Sequence, residues 1–203
     1  MTIKAVIWDM GGVLIRTINP VPRTALAKRL GFTSQELEDI VFNSDSGRRA
    51  QLGSITLEDH WAQVQEILRI RSDEILAFQK EFFGGDRLDF ELVEKIRSLK
   101  HRYHTGLLSN FFPGLRQTLK EQWQIADAFE EIVISSEVGL VKPDPRIFHL
   151  ILGKLRVSPQ EAVFVDDFIQ NTDGATAIGM NTIHFRTPEQ AWHELEKILE
   201  VIQ

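Results

Sequence analysis

Residues 162–167, Ala162-Val163-Phe164-Val165-Asp166-Asp167, decide the fold. An apolar run closed by two carboxylates reads as a strand buried on both faces, with its polar end emerging at one edge of a sheet. Two other stretches repeat the form: Ala5-Val6-Ile7-Trp8-Asp9, and Thr105-Gly106-Leu107-Leu108 followed by Ser109-Asn110. Strands of this kind belong to parallel sheets, whose carboxyl ends line one edge where ligands bind. Asp9, Ser109, Asn110, Asp166 and Asp167 should therefore meet there. Lys142, in Gly139-Leu140-Val141-Lys142-Pro143-Asp144-Pro145, stands just before a Pro-initiated helix and completes the set.

Working outward, strands are expected at 3–8, 104–109, 131–135, 162–166 and 181–185. Helical patterns lie near 90–99, 113–123, 144–154, 171–178 and 188–202. This alternation predicts an α/β fold, a doubly wound, Rossmann-like parallel sheet. The stretch from about 22 to 83 breaks the rhythm. It has no convincing strand and reads as helices at 22–30, 34–43, 56–69 and 72–83, with cap signals at Ser34 and Thr56. The expected division is a core of residues 1–17 and 86–203 and an inserted all-helical cap of 18–85. Asn19-Pro20-Val21-Pro22 and Gly84-Gly85-Asp86 punctuate its two junctions, a pair that suggests a hinged lid beside the active edge.

With 203 residues, 43% of them hydrophobic, and no Cys, the chain can bury a core without disulfides and holds no thiolate zinc site or cysteine nucleophile. A formal net charge of −6 argues against nucleic acid as partner. No apolar run reaches the roughly 18 residues of a membrane span, and no basic leader opens the chain, so a cytoplasmic location is expected. The six His residues form no ligand set by spacing: His60, His149, His184 and His193 are isolated, and His101 and His104 flank a turn.

Taken singly, each polar segment has an ordinary structural reading as a turn, a helix start or an N-cap. Together they define a chemistry. Two carboxylates about 4 Å apart repel by roughly 4 kcal/mol at an effective dielectric near 20. Convergence of Asp9 and Asp167 thus calls for a cation, and an all-oxygen donor set suits Mg²⁺. A Ser hydroxyl, backbone N–H groups and Lys142 would hold a phosphate, leaving Asp9 as the nucleophile.

These motifs, in this order, resemble the haloacid dehalogenase superfamily of phosphohydrolases across essentially the whole chain. The helical insert is similar to the type 1 cap of that superfamily. The resemblance implies that Asp9 attacks phosphorus to form an aspartyl-phosphate, and that Ser109, Asn110 and Lys142 bind the phosphoryl group. It also implies that Asp9, the backbone carbonyl of Gly11 and Asp167 hold Mg²⁺. Asp166 would support them, and Asn171 would steady Lys142 or a metal-bound water. The substrate would be a small phosphorylated metabolite.

The first motif of the family is D-x-D, and its second Asp protonates the leaving alcohol before activating water. Here that position is Gly11, in Asp9-Met10-Gly11-Gly12-Val13, a D-x-G-G-V variant that resembles the sugar-1-phosphate phosphatases. A missing acid costs about 10²–10⁴ in rate, so aryl, acyl or anomeric phosphates should be favoured over alkyl phosphates. Substrate choice is expected from the cap, where Ser44–Gln51 is the segment best suited to face the active edge, with Arg48 or Arg49 meeting substrate oxygens. Trp61, Phe78, Phe82 and Phe83 should fill the cap's own core, while Phe111 and Phe112 either line the entrance or pack under the lid. Two alternatives stay open: a 2-haloacid dehalogenase, for which Gly11 would be harmless, and a non-catalytic phosphometabolite-binding protein.

Overall fold

In the computed structural model, which describes residues 2–201, β1 (Ala5–Trp8) lies at the centre of a five-stranded sheet. β2 (Ile15–Thr17) and β3 (Asp86–Leu88) lie outside it, paired antiparallel with Thr17 opposite Asp86. β4 (His104–Ser109), β5 (Glu131–Ile134), β6 (Ala162–Asp166) and β7 (Asn181–His184) complete the large sheet. Its order is β5-β4-β1-β6-β7, and all four pairings are parallel. The chain leaves β1 toward β4 on one side and returns to β6 on the other. The topological switch therefore flanks β1, and the crevice it opens lies at the carboxyl ends of β1, β4 and β6.

Alternation along each strand feeds two cores. From β1, Val6 and Trp8 face one cluster with Leu107, Val163 and Val165, while Ala5 and Ile7 face the other with Leu108 and Phe164. A two-residue side-chain period on a sheet covered on both faces produces this split.

The insert holds α1 (Val21–Leu30), α2 (Ser34–Glu38), α3 (Asp45–Gln51), α4 (Leu57–Leu68) and α5 (Ile75–Phe82). The core adds α6 (Phe90–Leu99), α7 (Leu115–Gln117), α8 (Ser135–Val138), α9 (Pro145–Leu155), α10 (Ile169–Ala177) and α11 (Pro188–Val201). Against the first sheet cluster lie Leu92, Val93 and Ile96 of α6 with Ala191 and Leu195 of α11; against the second lie Ile147, Phe148 and Ile151 of α9 with Ala175 of α10. Among the described residues no helix is long and apolar enough to cross a membrane.

Several sequence expectations shift. The helix expected over 34–43 is capped by Thr33, not Ser34: Thr33 and Glu36 form a reciprocal capping box, and Asp39–Asn43 continues as a π-helical turn. The one expected over 113–123 is α-helical only over Leu115–Gln117 and then π-helical over Thr118–Gln122. Ser72–Glu74 is a 3₁₀ turn ahead of α5. β5 stops at Ile134 because Ser135 opens α8, and position 202 of the expected last helix lies outside the described residues. The β2–β3 ribbon, the helix α3, which has no apolar stripe, and the single turn α8 have no counterpart among the sequence expectations.

The insert packs its own cluster from Leu26, Leu37, Val41, Val64, Phe78 and Phe82, with Trp61 and Phe83 at its margin. Phe112, from the loop after β4, is buried in that cluster, so it packs under the insert rather than lining an opening. A second seam lies at Ser135, whose Oγ donates to the Gln51 carbonyl at 2.6 Å and accepts from Phe111 N–H at 3.0 Å.

The junctions between insert and core are stitched together. Ile18 and Asn19 N–H groups both donate to the Gly85 carbonyl, at 3.1 and 3.2 Å. Arg23, nearly buried, donates to the Phe82 carbonyl at 3.0 Å, to Glu38 at 2.6 Å and to both Asp86 oxygens at 2.9 Å. Thr17 Oγ1 adds a 2.6 Å bond to Asp86. These bonds join the insert to the ribbon across the junctions expected at 19–22 and 84–86.

Candidate active site

Every strand that ends at the switch point delivers polar groups there. Asp9 leaves β1 with its N–H still donating to Val165 O at 2.9 Å, which fixes it beside β6. Ser109 closes β4, and Asp166 closes β6 with Asp167 behind it. Lys142 approaches along the stretch before α9, where Asp144 caps the helix and the Lys142–Pro143 bond is cis.

Lys142 is the hub. Its Nζ stands 2.7 Å from Asp9 Oδ1 and 2.6 Å from Asp166 Oδ2, and donates to the Leu108 carbonyl at 3.0 Å, which occupies all three ammonium hydrogens. The residue itself is 4% exposed, Asp9 6% and Asp166 0%. Asn110, expected on the substrate, spends its amide on Lys142: Nδ2 donates to the Lys142 carbonyl at 3.0 Å, and Oδ1 accepts the Lys142 N–H at 2.8 Å. Asn171 Nδ2 reaches both Asp166 oxygens, at 3.0 and 3.1 Å, and Phe168 N–H adds 2.8 Å to Oδ1. Asp166 is thereby fully engaged by protein donors, and Asn171 acts on Lys142 through it.

Among the described residues, two buried polar atoms nearby have no partner, Asp167 Oδ1 and Ser109 Oγ. A buried orphan costs about 1–3 kcal/mol unless something fills the space beside it. Asp9, Asp166 and Asp167 each offer an oxygen within 4.8 Å of the others. Three carboxylates against the one ammonium of Lys142 leave a formal excess of two negative charges in a buried site. Burial raises the Asp9 pKa to about 8, against the pull of Lys142 and with Asp166 adding to the rise. Asp167 rises to about 6, again chiefly through burial and then through Asp166. Lys142 moves upward too, because its two carboxylate neighbours outweigh the burial that works against its charge. The donor set, the charge and the orphaned oxygen all fit a hard divalent cation.

Gly11 and Gly12 shape the floor of the site. A Cβ on Gly11 would meet nothing within 4 Å, whereas one on Gly12 would stand 2.0 Å from Asp167 Oδ2. Arg48 is on α3, exposed, and Arg49 pairs with Asp45 at 3.7 Å. Most other polar groups of Ser44–Gln51 turn inward: Ser44 caps α3, Ser46 Oγ lies 2.9 Å from His60 Nδ1, and Gln51 Nε2 donates to the Phe42 carbonyl. Sequence reasoning missed His184, whose Nε2 lies 2.9 Å from the Asp167 carbonyl oxygen. Only the pairing of β7 with β6 brings it there, and nothing in the local sequence marks it.

The haloacid dehalogenase-like hydrolase family matches residues 3–179. A sesquiterpene phosphatase from Aspergillus oryzae is 29% identical over 98% of this chain and 97% of its own length. Acyl-CoA dehydrogenase family member 10 from Mus musculus is 45% identical over 97% of this chain, which spans about a fifth (19%) of that protein. Among solved structures, a HAD family enzyme from Bacteroides thetaiotaomicron in complex with magnesium and inorganic phosphate superposes with a TM-score of 0.76. It is 23% identical, over 95% of this chain and 98% of the other. The family match spans most of the sheet and the whole insert, and on it the chain belongs to the haloacid dehalogenase-like hydrolases.

Proposed function

We propose that this protein is a Mg²⁺-dependent phosphomonoesterase acting on a small phosphorylated metabolite through an aspartyl-phosphate on Asp9. In this reading residues 1–17 and 86–203 form the catalytic core and 18–85 a type 1 cap. The observation that carries it is the surplus negative charge around Asp9, Asp166 and Asp167, with Asp167 Oδ1 and Ser109 Oγ left unpartnered beside it. The similarity to phosphatases supports it.

Asp9, Asp167 and the Gly11 carbonyl would hold the cation, which when bound offsets carboxylate and phosphoryl charge and polarises a phosphoryl oxygen. The chain does the rest. Ser109 Oγ donates to a phosphoryl oxygen, and Lys142 holds Asp9 Oδ1 in place while opposing the phosphate charge. The free oxygen of Asp9 bonds to phosphorus as the ester P–O bond breaks, and the leaving oxygen departs with the electron pair. Water then cleaves the acyl-phosphate and returns Asp9 as carboxylate. Gly11 supplies no proton to the departing oxygen, so the site favours esters whose leaving group needs little protonation, as in the D-x-G-G-V, sugar-1-phosphate phosphatase-like branch. Arg48, from the cap, is assigned to substrate oxygens.

A phosphometabolite screen with and without Mg²⁺, run beside Asp9→Asn, tests the reading. Phosphate release that needs Mg²⁺ and vanishes in the variant is expected. Activity that survives Asp9→Asn would sink the proposed nucleophile. Gly11 also suits a 2-haloacid dehalogenase, since halide leaves without a proton; halide release from 2-chloropropionate with no Mg²⁺-dependent phosphate release would favour that reading. Mg²⁺-dependent binding of phosphate esters without turnover would instead mark a metabolite-binding protein.

A further inference from the structure

Asp167 Oδ1 has no hydrogen-bond partner among the described residues, and the backbone that carries this carboxylate is held in place beside it. The peptide linking Asp167 to Phe168 is pinned at both ends. Its N–H, on Phe168, donates to Asp166 Oδ1 at 2.8 Å. Its carbonyl oxygen, on Asp167, lies 2.9 Å from His184 Nε2. A carbonyl only accepts, so the ring carries its hydrogen on Nε2. His184 is well placed for this: it ends β7 in register with Asp166, and its own carbonyl accepts from Gln190 Nε2 at 3.2 Å. With both ends of this peptide plane fixed, the Asp167 backbone is held while its carboxylate fills the space a side chain on Gly12 would need.

We propose that His184 is a positioning residue for Asp167: its Nε2–H locks the Asp167–Phe168 peptide so that the carboxylate is presented, already oriented, to the divalent cation. The inference rests on the reading of Asp167 as a cation ligand. A purely structural role for the same hydrogen bond would change stability and leave cation affinity alone. Partners one step removed from a metal ligand typically affect affinity by about 10–100-fold.

Two measurements test it. Without metal, ¹⁵N NMR of the wild-type histidines at pH 8 should show His184 as the Nε2–H tautomer; the Nδ1–H tautomer would overturn the proposal. Calorimetric titration of Mg²⁺ should show His184→Leu binding roughly tenfold or more weakly, while His184→Gln, which keeps an N–H at similar reach, recovers most of the affinity. Thermal melts in EDTA establish that each variant is folded. A folded His184→Leu with wild-type affinity, or a His184→Gln as weak as His184→Leu, would refute the positioning role alone. Failure of the wild type to bind Mg²⁺ would remove the cation reading and this proposal with it.

Discussion

The carboxylate of Asp167 occupies the space that a side chain on Gly12 would need: a Cβ there would stand 2.0 Å from Oδ2 and 2.3 Å from Cγ. Gly12 also holds a φ of +75°, where a non-glycine residue is strained by about 1–3 kcal/mol. Gly12→Ala is therefore expected to do two things. It lowers the melting temperature, and it pushes Asp167 aside, so that half-maximal phosphate release requires more Mg²⁺. A folded variant with an unchanged Mg²⁺ requirement would show that the Asp167 position is not set from beneath.

The neighbouring glycine predicts the opposite. Because a Cβ on Gly11 meets nothing within 4 Å, Gly11→Asp should fold normally and restore a proton donor beside the leaving oxygen. Turnover of alkyl phosphates should rise, by up to the roughly 10²–10⁴ that a general acid contributes, and the preference for aryl over alkyl esters should narrow. Comparison of kcat/KM for the two ester classes in both proteins checks this. Equal rates for the two classes in the wild type would mean that another group already supplies the proton.

Burial of the site carboxylates gives a signed pH dependence. Asp9 binds a proton up to about pH 8 in the folded protein, against 3.8 ordinarily. Between those values the native state holds a proton that the unfolded chain has released, so stability falls as pH rises. Asp167, raised to about 6, adds to the fall at lower pH. His60, pushed below 6.5 by burial, opposes it below that pH. The clean window is therefore pH 6.5 to 8. In EDTA the melting temperature should drop across it, Asp9→Asn should flatten the drop, and the stabilisation by Mg²⁺, which needs ionised carboxylates, should grow with pH. A melting temperature that climbs through this window in EDTA would contradict the assignment of the proton to Asp9.

What could be read from the sequence was what local pattern carries. Apolar runs such as 5–8 and 162–165 mark strands covered on both faces, and Thr56-x-x-Asp59 announces α4 through its capping box. The convergence of Asp9 and the Asp166–Asp167 pair followed from parallel strands sharing one edge. What stayed hidden depends on contacts between distant segments. β2 and β3 are three residues each, with one apolar residue apiece, and pair because Ile15 meets Leu88 against the core and Thr17 meets Asp86 across the insert. α3 has no apolar period and is held by its Ser44 cap and by Gly47, which packs against the Val41 and Phe42 carbonyls. The Asn110 clamp on Lys142 spans 32 residues and the His184 contact 17, and neither leaves a local signature.

Since Arg23 ties the insert to Asp86 of β3, and Thr17 of β2 bonds the same carboxylate, insert and ribbon should travel as one body. The core side of the ribbon is tied as well: Arg16 donates to the Val13 carbonyl and to Asp89, both at 2.7 Å, and Asp89 N–H meets the Leu14 carbonyl at 2.9 Å. Breaking a largely buried pair by removing one partner costs about 3–5 kcal/mol. Arg23→Met should accordingly lower the unfolding free energy by that order in a denaturant titration, and should raise amide exchange at Ile18, Asn19 and Asp86. In the wild type those amides should stay protected. Rapid exchange at Ile18 and Asn19 in the wild type would return the hinge to the Pro- and Gly-rich junctions.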